Sequence, residues 1–147
     1  MKRILFVCGI LLFAFSCKVE ENPIPITAVY LNLDLTFEDK ELKATPSYKE
    51  FTIKNINVGI GERAGYGGVL VVHDMLGQYK AFDRACPYEA SQSVTVVVDD
   101  DVLYAVCPKC GTKYEIGVAN GVPNGTSKHN LRQYSVILSG SKLIVKN

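Results

Sequence analysis

The chain has 147 residues, 48% of them hydrophobic, and a formal net charge of +1. This length and composition suit one domain with a real core, and the near-neutral charge without a basic stripe excludes a nucleic-acid-binding role. No Ser, His and Asp grouping has a recognisable local context, so hydrolysis has no support and a role other than catalysis is favoured.

The segment over residues 1–16 predicts a secretory signal peptide. A basic start precedes an unbroken apolar run over residues 4–15, which is too short for a comfortable membrane span. Cys17 follows directly after Ala-Phe-Ser, which resembles the lipoprotein box of bacteria. The resemblance implies that Cys17 becomes the first residue of the mature chain and carries lipid. An ordinary N-terminal anchor or a plain secreted protein is the alternative.

Export and lipid attachment imply a protein held on a bacterial membrane, on the periplasmic side or at the cell surface. Removal of the signal takes away Lys2 and Arg3, so the net charge falls from +1 to −1. Cys8 leaves with the signal. The thiols that then remain unmodified are Cys86, Cys107 and Cys110.

A polar stretch with two prolines follows Cys17 and predicts a flexible tether over residues 17–28. A β domain is expected over residues 29–147. At its start, Leu31, Leu33 and Leu35 alternate with polar neighbours, which predicts a half-buried strand.

Short strands are expected throughout the rest of the domain. They are predicted over residues 51–53, 69–73, 78–83, 94–98, 102–106, 112–116, 131–138 and 143–145. No segment after the signal has a sustained helical period, although residues 37–44 could form one helical turn. The pattern therefore predicts an all-β fold, as in a sandwich or small barrel.

Two cysteine-containing loops flank a predicted hairpin. The first loop opens with Cys86, and the second contains Cys107 and Cys110. Between them lie apolar runs at residues 94–98 and 102–106, joined by an acidic turn. Because a hairpin brings its two ends together, the three thiols are expected to converge. Converging thiols predict either a metal site or a disulfide.

The acidic turn, Asp99-Asp100-Asp101, invites a calcium-binding interpretation. Three adjacent carboxylates cannot all converge on one ion, however, because calcium sites draw their oxygen ligands from spaced positions. A solvated hairpin turn is the preferred interpretation.

The two loops are similar to those of the Rieske iron–sulfur domain. They read Cys-Pro-Tyr from Cys86 and Cys-Pro-Lys-Cys-Gly from Cys107, where the family has Cys-x-His and Cys-x-x-His. The resemblance covers roughly residues 67–147, and the residues before it resemble the N-terminal part of Rieske-like lipoproteins of bacteria. It implies a small β-sandwich or barrel with a cluster-binding hairpin subdomain, a [2Fe-2S] cluster, and electron transfer with a redox partner protein.

The ligand positions depart from the family. A Rieske centre has two cysteines on one iron and two histidines on the other. By the resemblance, Cys86 and Cys107 would bind one iron and Cys110 the second, with Tyr88, Glu89 or an outside group completing the set. A thiolate in place of imidazole adds negative charge, so we expect a lower reduction potential than that of a Rieske centre.

Zinc is an alternative for the same residues. Cys107-x-x-Cys110 is a zinc knuckle, and pairing it with Cys86 and Glu89 gives the spacing of a zinc ribbon with one carboxylate ligand. Two histidines are further candidates for the fourth position: His73 and His129.

A disulfide without metal is the remaining alternative. Cys86 would pair with Cys107 or Cys110 across the ends of the hairpin, contributing about 2–4 kcal/mol to stability. The protein would then be a cell-surface binding module with an unidentified partner.

Overall fold

The structure, a computed structural model, describes residues 20–147, and almost all of its regular structure is β-strand. The prediction of an all-β fold is confirmed. The strands within this range are β1 Val29–Asp34, β2 Ser47–Phe51, β3 Arg63–Ala64, β4 Val69–His73, β5 Tyr79–Asp83, β6 Val97–Val98, β7 Tyr104–Val106, β8 Lys113–Glu115, β9 Val122–Asn124, β10 Gln133–Ser139 and β11 Lys142–Lys146. Two short 3-10 helices are Lys40–Lys43 and Val58–Ile60. In residues 20–147 no helix has the length and hydropathy to cross a membrane.

The strands form two antiparallel sheets. Seven of them make a curled half-barrel in the order β2-β4-β5-β10-β11-β1-β3. The other four make a small sheet in the order β6-β7-β8-β9. The predicted small sandwich or barrel corresponds to the half-barrel, and the predicted hairpin subdomain corresponds to the small sheet.

Strand β4 is buried on both faces, which explains why its sequence is apolar at every position and does not alternate. Val69 and Val71 face one hydrophobic core, inside the half-barrel, while Leu70 and Val72 face a second core. All four side chains are at most 1% exposed. A strand covered on both faces requires apolar residues at every position, so the run is continuous.

The second core positions the cysteines. It fills the space between the half-barrel and the small sheet, and Phe82 from β5 and Ile116 next to β8 pack within it. Cys86 and Cys107 belong to this core, and both are fully buried. The cysteine loops are therefore supported from behind by packed apolar side chains.

Strand β2 lies earlier than predicted, and the prediction of a strand over residues 51–53 is wrong beyond Phe51. The chain turns directly after the strand, where the Asn55 side chain accepts a hydrogen bond from the amide of Thr52 at 2.6 Å. Ile53 is consequently 67% exposed. The strand itself is polar because it is an edge strand that pairs with β4 alone.

The hairpin before the second cysteine loop is shorter than predicted. Only Val97–Val98 and Tyr104–Val106 form ladder pairs, because the acidic turn extends to Leu103. The Asp99 carboxylate accepts hydrogen bonds from the amides of Leu103 and Tyr104 at 2.9 and 3.0 Å. The aspartate thus caps the turn.

Strand β9 is absent from the strands predicted from the sequence. Val122–Asn124 pairs with β8 on the outer edge of the small sheet. Pro123 is tolerated there because an edge strand leaves one side of its backbone unpaired.

The predicted flexible tether is wrong for residues 22–24, which are docked on the domain. Ile24 is fully buried. The Arg132 side chain donates to the carbonyl of Ile24 at 2.7 Å, and the Asn22 side chain donates to the carbonyl of Asn130 at 2.8 Å. We call residues 20–25 the strap. The predicted lipidation site, Cys17, lies outside the described residues.

Candidate metal centre

Each cysteine loop is closed by a backbone hydrogen bond from its own cysteine. The amide of Cys86 donates to the carbonyl of Val94 at 3.0 Å, and the amide of Cys107 donates to the carbonyl of Thr112 at 2.9 Å. A bridge between Ala85 and Thr95 holds the first loop against the strand that leads into β6. These backbone contacts therefore hold the two cysteine loops next to each other.

The three cysteines converge as predicted. The sulfurs of Cys86 and Cys110 are 3.7 Å apart, and the three Sγ atoms all lie within 4.8 Å of one another. Cys110 is partly exposed, unlike the other two, and all three are free thiols in the structure. Thiolates at this separation could bind a metal ion.

Tyr114 contacts the group from the core side. Its hydroxyl lies 3.2 Å from the sulfur of Cys86, and its side chain is fully buried. Burial, followed by the hydrogen bond with Cys86, raises the pKa of the Tyr114 phenol. The phenol therefore keeps its proton, and it can donate a hydrogen bond to Cys86 when Cys86 is a thiolate.

Thr112 supports Cys110 in the same way. Its hydroxyl oxygen accepts hydrogen bonds from the amides of Thr126 and Ser127 at 3.1 and 3.2 Å, and it lies 3.2 Å from the sulfur of Cys110. A hydroxyl has two lone pairs and one proton. In the structure the Cys110 thiol donates to this oxygen. When Cys110 is a thiolate, the hydroxyl proton turns to the sulfur instead, which favours the charged form.

Sequence reasoning missed both Tyr114 and Thr112. A signal was available, because alternation from Thr112 into β8 places Thr112 and Tyr114 on one face, directly after the second cysteine loop. That face is the one turned to the second core.

The thiols differ in acidity. Burial raises the pKa of Cys107 to about 11. Burial also pushes the pKa of Cys110 upward, but hydrogen bonds from Thr112 and from the other two thiols outweigh it and lower that pKa. Cys110 thus loses its proton more readily than Cys107, and it is also the thiol nearest solvent.

Glu89 lies outside the sulfur group. Its carboxylate forms an ion pair with Lys109 at 2.5 Å, which links the first cysteine loop to the second. Glu89 is therefore engaged as an inter-loop contact in this structure, and it is not among the ligand atoms that come together.

Tyr88 and His129 line a cavity of about 280 Å³ beside the first loop. Tyr88 is 54% exposed. Among the described residues, the hydrogen bonds of the sulfurs join the cysteines to one another, to Tyr114 and to Thr112. His73 lies elsewhere, on β4, where its ring stacks on Tyr79 and hydrogen-bonds to Thr45. Neither histidine belongs to the group of converging ligand atoms.

Fold and site together define an all-β protein with a three-cysteine group that could hold a metal ion. Models of known protein families give no match to the chain, and a search of curated proteins likewise gives none. The functional argument therefore depends on the chemistry of the site.

Proposed function

We propose that this protein is an exported, lipid-anchored metal-binding module with a Rieske-like β domain, in which Cys86, Cys107 and Cys110 ligate the metal. The observation that carries the proposal is the approach of three sulfurs to within 4.8 Å of one another. A soft thiolate set of this kind selects zinc, copper(I) or iron in an iron–sulfur centre.

The sulfur spacing favours a single ion. Two sulfurs on one zinc ion, each bound at about 2.3 Å, are at most about 4.6 Å apart and roughly 3.8 Å apart at a tetrahedral angle. The 3.7 Å between Cys86 and Cys110 fits two ligands of the same ion. Sulfurs on the two different irons of a cluster are farther apart, because the iron–iron separation is added to two metal–sulfur bonds. Zinc therefore fits the arrangement better than a cluster with Cys86 and Cys110 on opposite irons.

The donor set is one ligand short of a closed zinc site. Structural zinc has four protein ligands, whereas a site with three keeps an open position for water or another group. Among the described residues three ligand side chains converge, and the nearest acidic candidate in the sequence, Glu89, is held by Lys109. We infer an open fourth position on the side of Cys110, the thiol nearest solvent.

An iron–sulfur electron-transfer centre is the second candidate. Its support is the resemblance of the two loops together with two hydroxyl donors beside the sulfurs, from Tyr114 and Thr112. Hydrogen bonds to sulfur are one of the features that set the potential of an iron–sulfur cluster. When bound, the cluster would supply one-electron chemistry, and Cys86 and Cys107 would hold one of its irons.

Metal and sulfide analysis of the full-length protein, purified without oxygen, separates the candidates. About one zinc per chain without sulfide supports the single-ion site, and two irons with two sulfides support the cluster. Absence of both after reconstitution with either metal would overturn both candidates.

A thiol count on the denatured, unreduced, mature protein tests the disulfide alternative. One free thiol means that two cysteines are paired and that three-cysteine ligation is absent in that sample. The protein would then act as a metal-free surface module stabilised by a covalent clip. Three free thiols together with bound metal support the proposal.

A further inference from the structure

The strap connects the predicted lipid anchor to one particular face of the domain. Pro23 of the strap lines the same 280 Å³ cavity as Pro87, Tyr88 and His129. The Glu20 carboxylate lies 4.0 Å from the ring of His129. The strap therefore runs along the outer side of the first cysteine loop. We call the surface formed by Pro23, Pro87, Tyr88, Lys128 and His129 the strap face.

The strap is fixed to the domain, so its position limits where a lipid at Cys17 can be. Ile24 is fully buried, and Arg132 donates to the carbonyls of Ile24 and Asn22 at 2.7 and 3.3 Å. Three residue steps separate Glu20 from Cys17, which is a reach of at most about 11 Å. A domain of this size is roughly 35 Å across. Because this reach is much shorter than the width of the domain, the strap face must lie on the side of the domain that is turned to the bilayer.

The chemistry of the strap face suits a lipid headgroup layer. Tyr88 is 54% exposed, and an amphipathic tyrosine ring is favoured at the membrane–water interface. Pro23 and Ala90 are exposed and add apolar surface around it, and the exposed Lys128 offers a cation to lipid phosphates. Exposed apolar surface beside a membrane tether is more readily covered by lipid than left in water.

We propose that the strap face lies against the headgroup layer of the bilayer that holds the lipidated Cys17, so that the first cysteine loop is turned toward the membrane. The proposal rests on the lipidation that is part of the proposed function. It identifies the bilayer as the partner of this surface, and any reactant of the cysteine site would approach it along the membrane.

The chain contains no tryptophan, which permits a direct test with single reporters. The Tyr88→Trp variant places one on the strap face, and Phe37→Trp places a matched control on an exposed aromatic position past the far end of β1. Strand β1 has six residues and separates the two ends by roughly 17 Å. The full-length lipidated variants would be reconstituted in vesicles of phosphatidylethanolamine and phosphatidylglycerol with brominated acyl chains.

We expect bromine to quench the emission of the Tyr88→Trp variant at least threefold more than that of Phe37→Trp. Equal quenching, or none, in protein that floats with the vesicles would overturn the orientation while leaving lipidation intact. Failure of both variants to float would overturn the orientation together with the anchoring. The metal content of the same samples reports on the cysteine site independently.

A lengthened tether tests the role of the strap. Insertion of about fifteen Gly and Ser residues between Cys17 and Glu20 should reduce the quenching of Tyr88→Trp to the level of the control, because the domain could then tumble away from the surface. Unchanged quenching would mean that the short tether does not hold the strap face against the membrane.

Discussion

At the scale of single residues, the three thiols have distinct roles because their surroundings differ. Cys107 is buried and keeps its proton, with a pKa raised to about 11. Cys110 is partly exposed, and hydrogen bonds lower its pKa despite burial. An incoming metal ion would therefore meet a more acidic thiol at Cys110 than at Cys107, and it would displace the proton of Cys107 as it binds.

Substitution of Cys110 is the sharpest residue-level test of the site. Cys110→Ala removes one of three ligands, so we expect metal affinity to fall by at least about tenfold, the lower end of the loss that even an outer-shell partner causes. Cys110→His retains a metal ligand and should still bind. In an iron–sulfur centre it should also raise the reduction potential, because a thiolate charge is removed. Competition with a chromophoric chelator measures the affinity, and equal binding by Cys110→Ala would contradict the ligand assignment.

Thr112 should control the acidity of Cys110. In Thr112→Val the hydroxyl proton is lost, so the pKa of Cys110 should rise and its alkylation should require higher pH than in the wild type. Thr112→Ser keeps the hydroxyl and serves as the control. The valine variant also leaves the amides of Thr126 and Ser127 unpaired, at a cost of about 1–3 kcal/mol each. Alkylation followed by mass spectrometry across pH, on reduced and metal-free protein, measures the shift. Identical midpoints in the two variants would refute this role.

At the scale of elements, the turn between β4 and β5 joins the half-barrel to the loop that follows β8. Lys80 forms an ion pair with Asp74 at 2.6 Å and donates to the carbonyl of Ala119 at 3.2 Å. The amide of Met75 donates to the carbonyl of Gly117 at 3.0 Å. Both ion-pair side chains are at most 6% exposed. These interactions close the second core at the carboxyl end of β8, which is the end farther from the cysteine loops.

Asp74→Asn should destabilise the fold by about 3–5 kcal/mol at neutral pH, because it leaves the ammonium of Lys80 buried without a counter-charge. Burial raises the pKa of Asp74, but Lys80 and the amides of Gln78 and Leu76 outweigh it, so the net pKa is lowered. A lowered folded-state pKa means that the stabilisation is present above the unfolded value near 4 and is lost as the pH falls through the folded value.

The difference in the free energy of unfolding between wild type and Asp74→Asn should therefore shrink below about pH 4. Urea unfolding at several pH values measures it. Asp34→Asn removes a more exposed carboxylate that pairs with Lys142 and is the matched control. A gap between wild type and Asp74→Asn that stays constant down to pH 3 would rule out the ion pair as its cause.

The strap offers a matched pair of isoleucines for testing whether it is part of the fold. Ile24 is fully buried, whereas Ile26, two positions later, is 76% exposed. Ile24→Ala should lower the free energy of unfolding by about 2–5 kcal/mol, and Ile26→Ala should change it little. Equal effects in chemical denaturation would mean that the strap does not stay docked in solution.

At the scale of the whole molecule, the strap lies beside the first cysteine loop. The carbonyls of Asn22 and Ile24 are bound by Arg132, which directly precedes β10, while Pro23 lines one cavity with Pro87 of the first loop. The proposed lipidation of Cys17 would therefore couple membrane attachment to the presentation of the site through this docked segment.

Cys17→Ser should release the protein from membranes and abolish metabolic labelling with fatty acid, because the acceptor thiol of the predicted lipid is removed. The domain should remain folded, with the same thermal unfolding as the delipidated wild type. Fractionation and labelling in the bacterial host measure both effects. Membrane association and labelling that persist in this variant would refute lipidation at Cys17.

Much of this architecture could be predicted from local patterns. Alternating leucines marked β1, and the flanking turns marked β4 and β5 within a residue of their ends. The convergence of Cys86 with the second loop could also be predicted, because an antiparallel hairpin brings its ends together whatever its side chains are. The error at β2 has the opposite cause: a polar edge strand lacks the apolar alternation by which strands are recognised.

By itself the sequence determined the all-β class and the approach of the three thiols, since each depends on residues near one another in the chain. Only the tertiary structure decided that Glu89 pairs with Lys109, that Tyr114 meets Cys86, and that the strap docks. The contact between Ile24 and Arg132 joins positions 108 residues apart. Local periodicity reports which face of a strand is buried, but the partner of each buried or charged group depends on which distant segments the fold brings within a few ångströms.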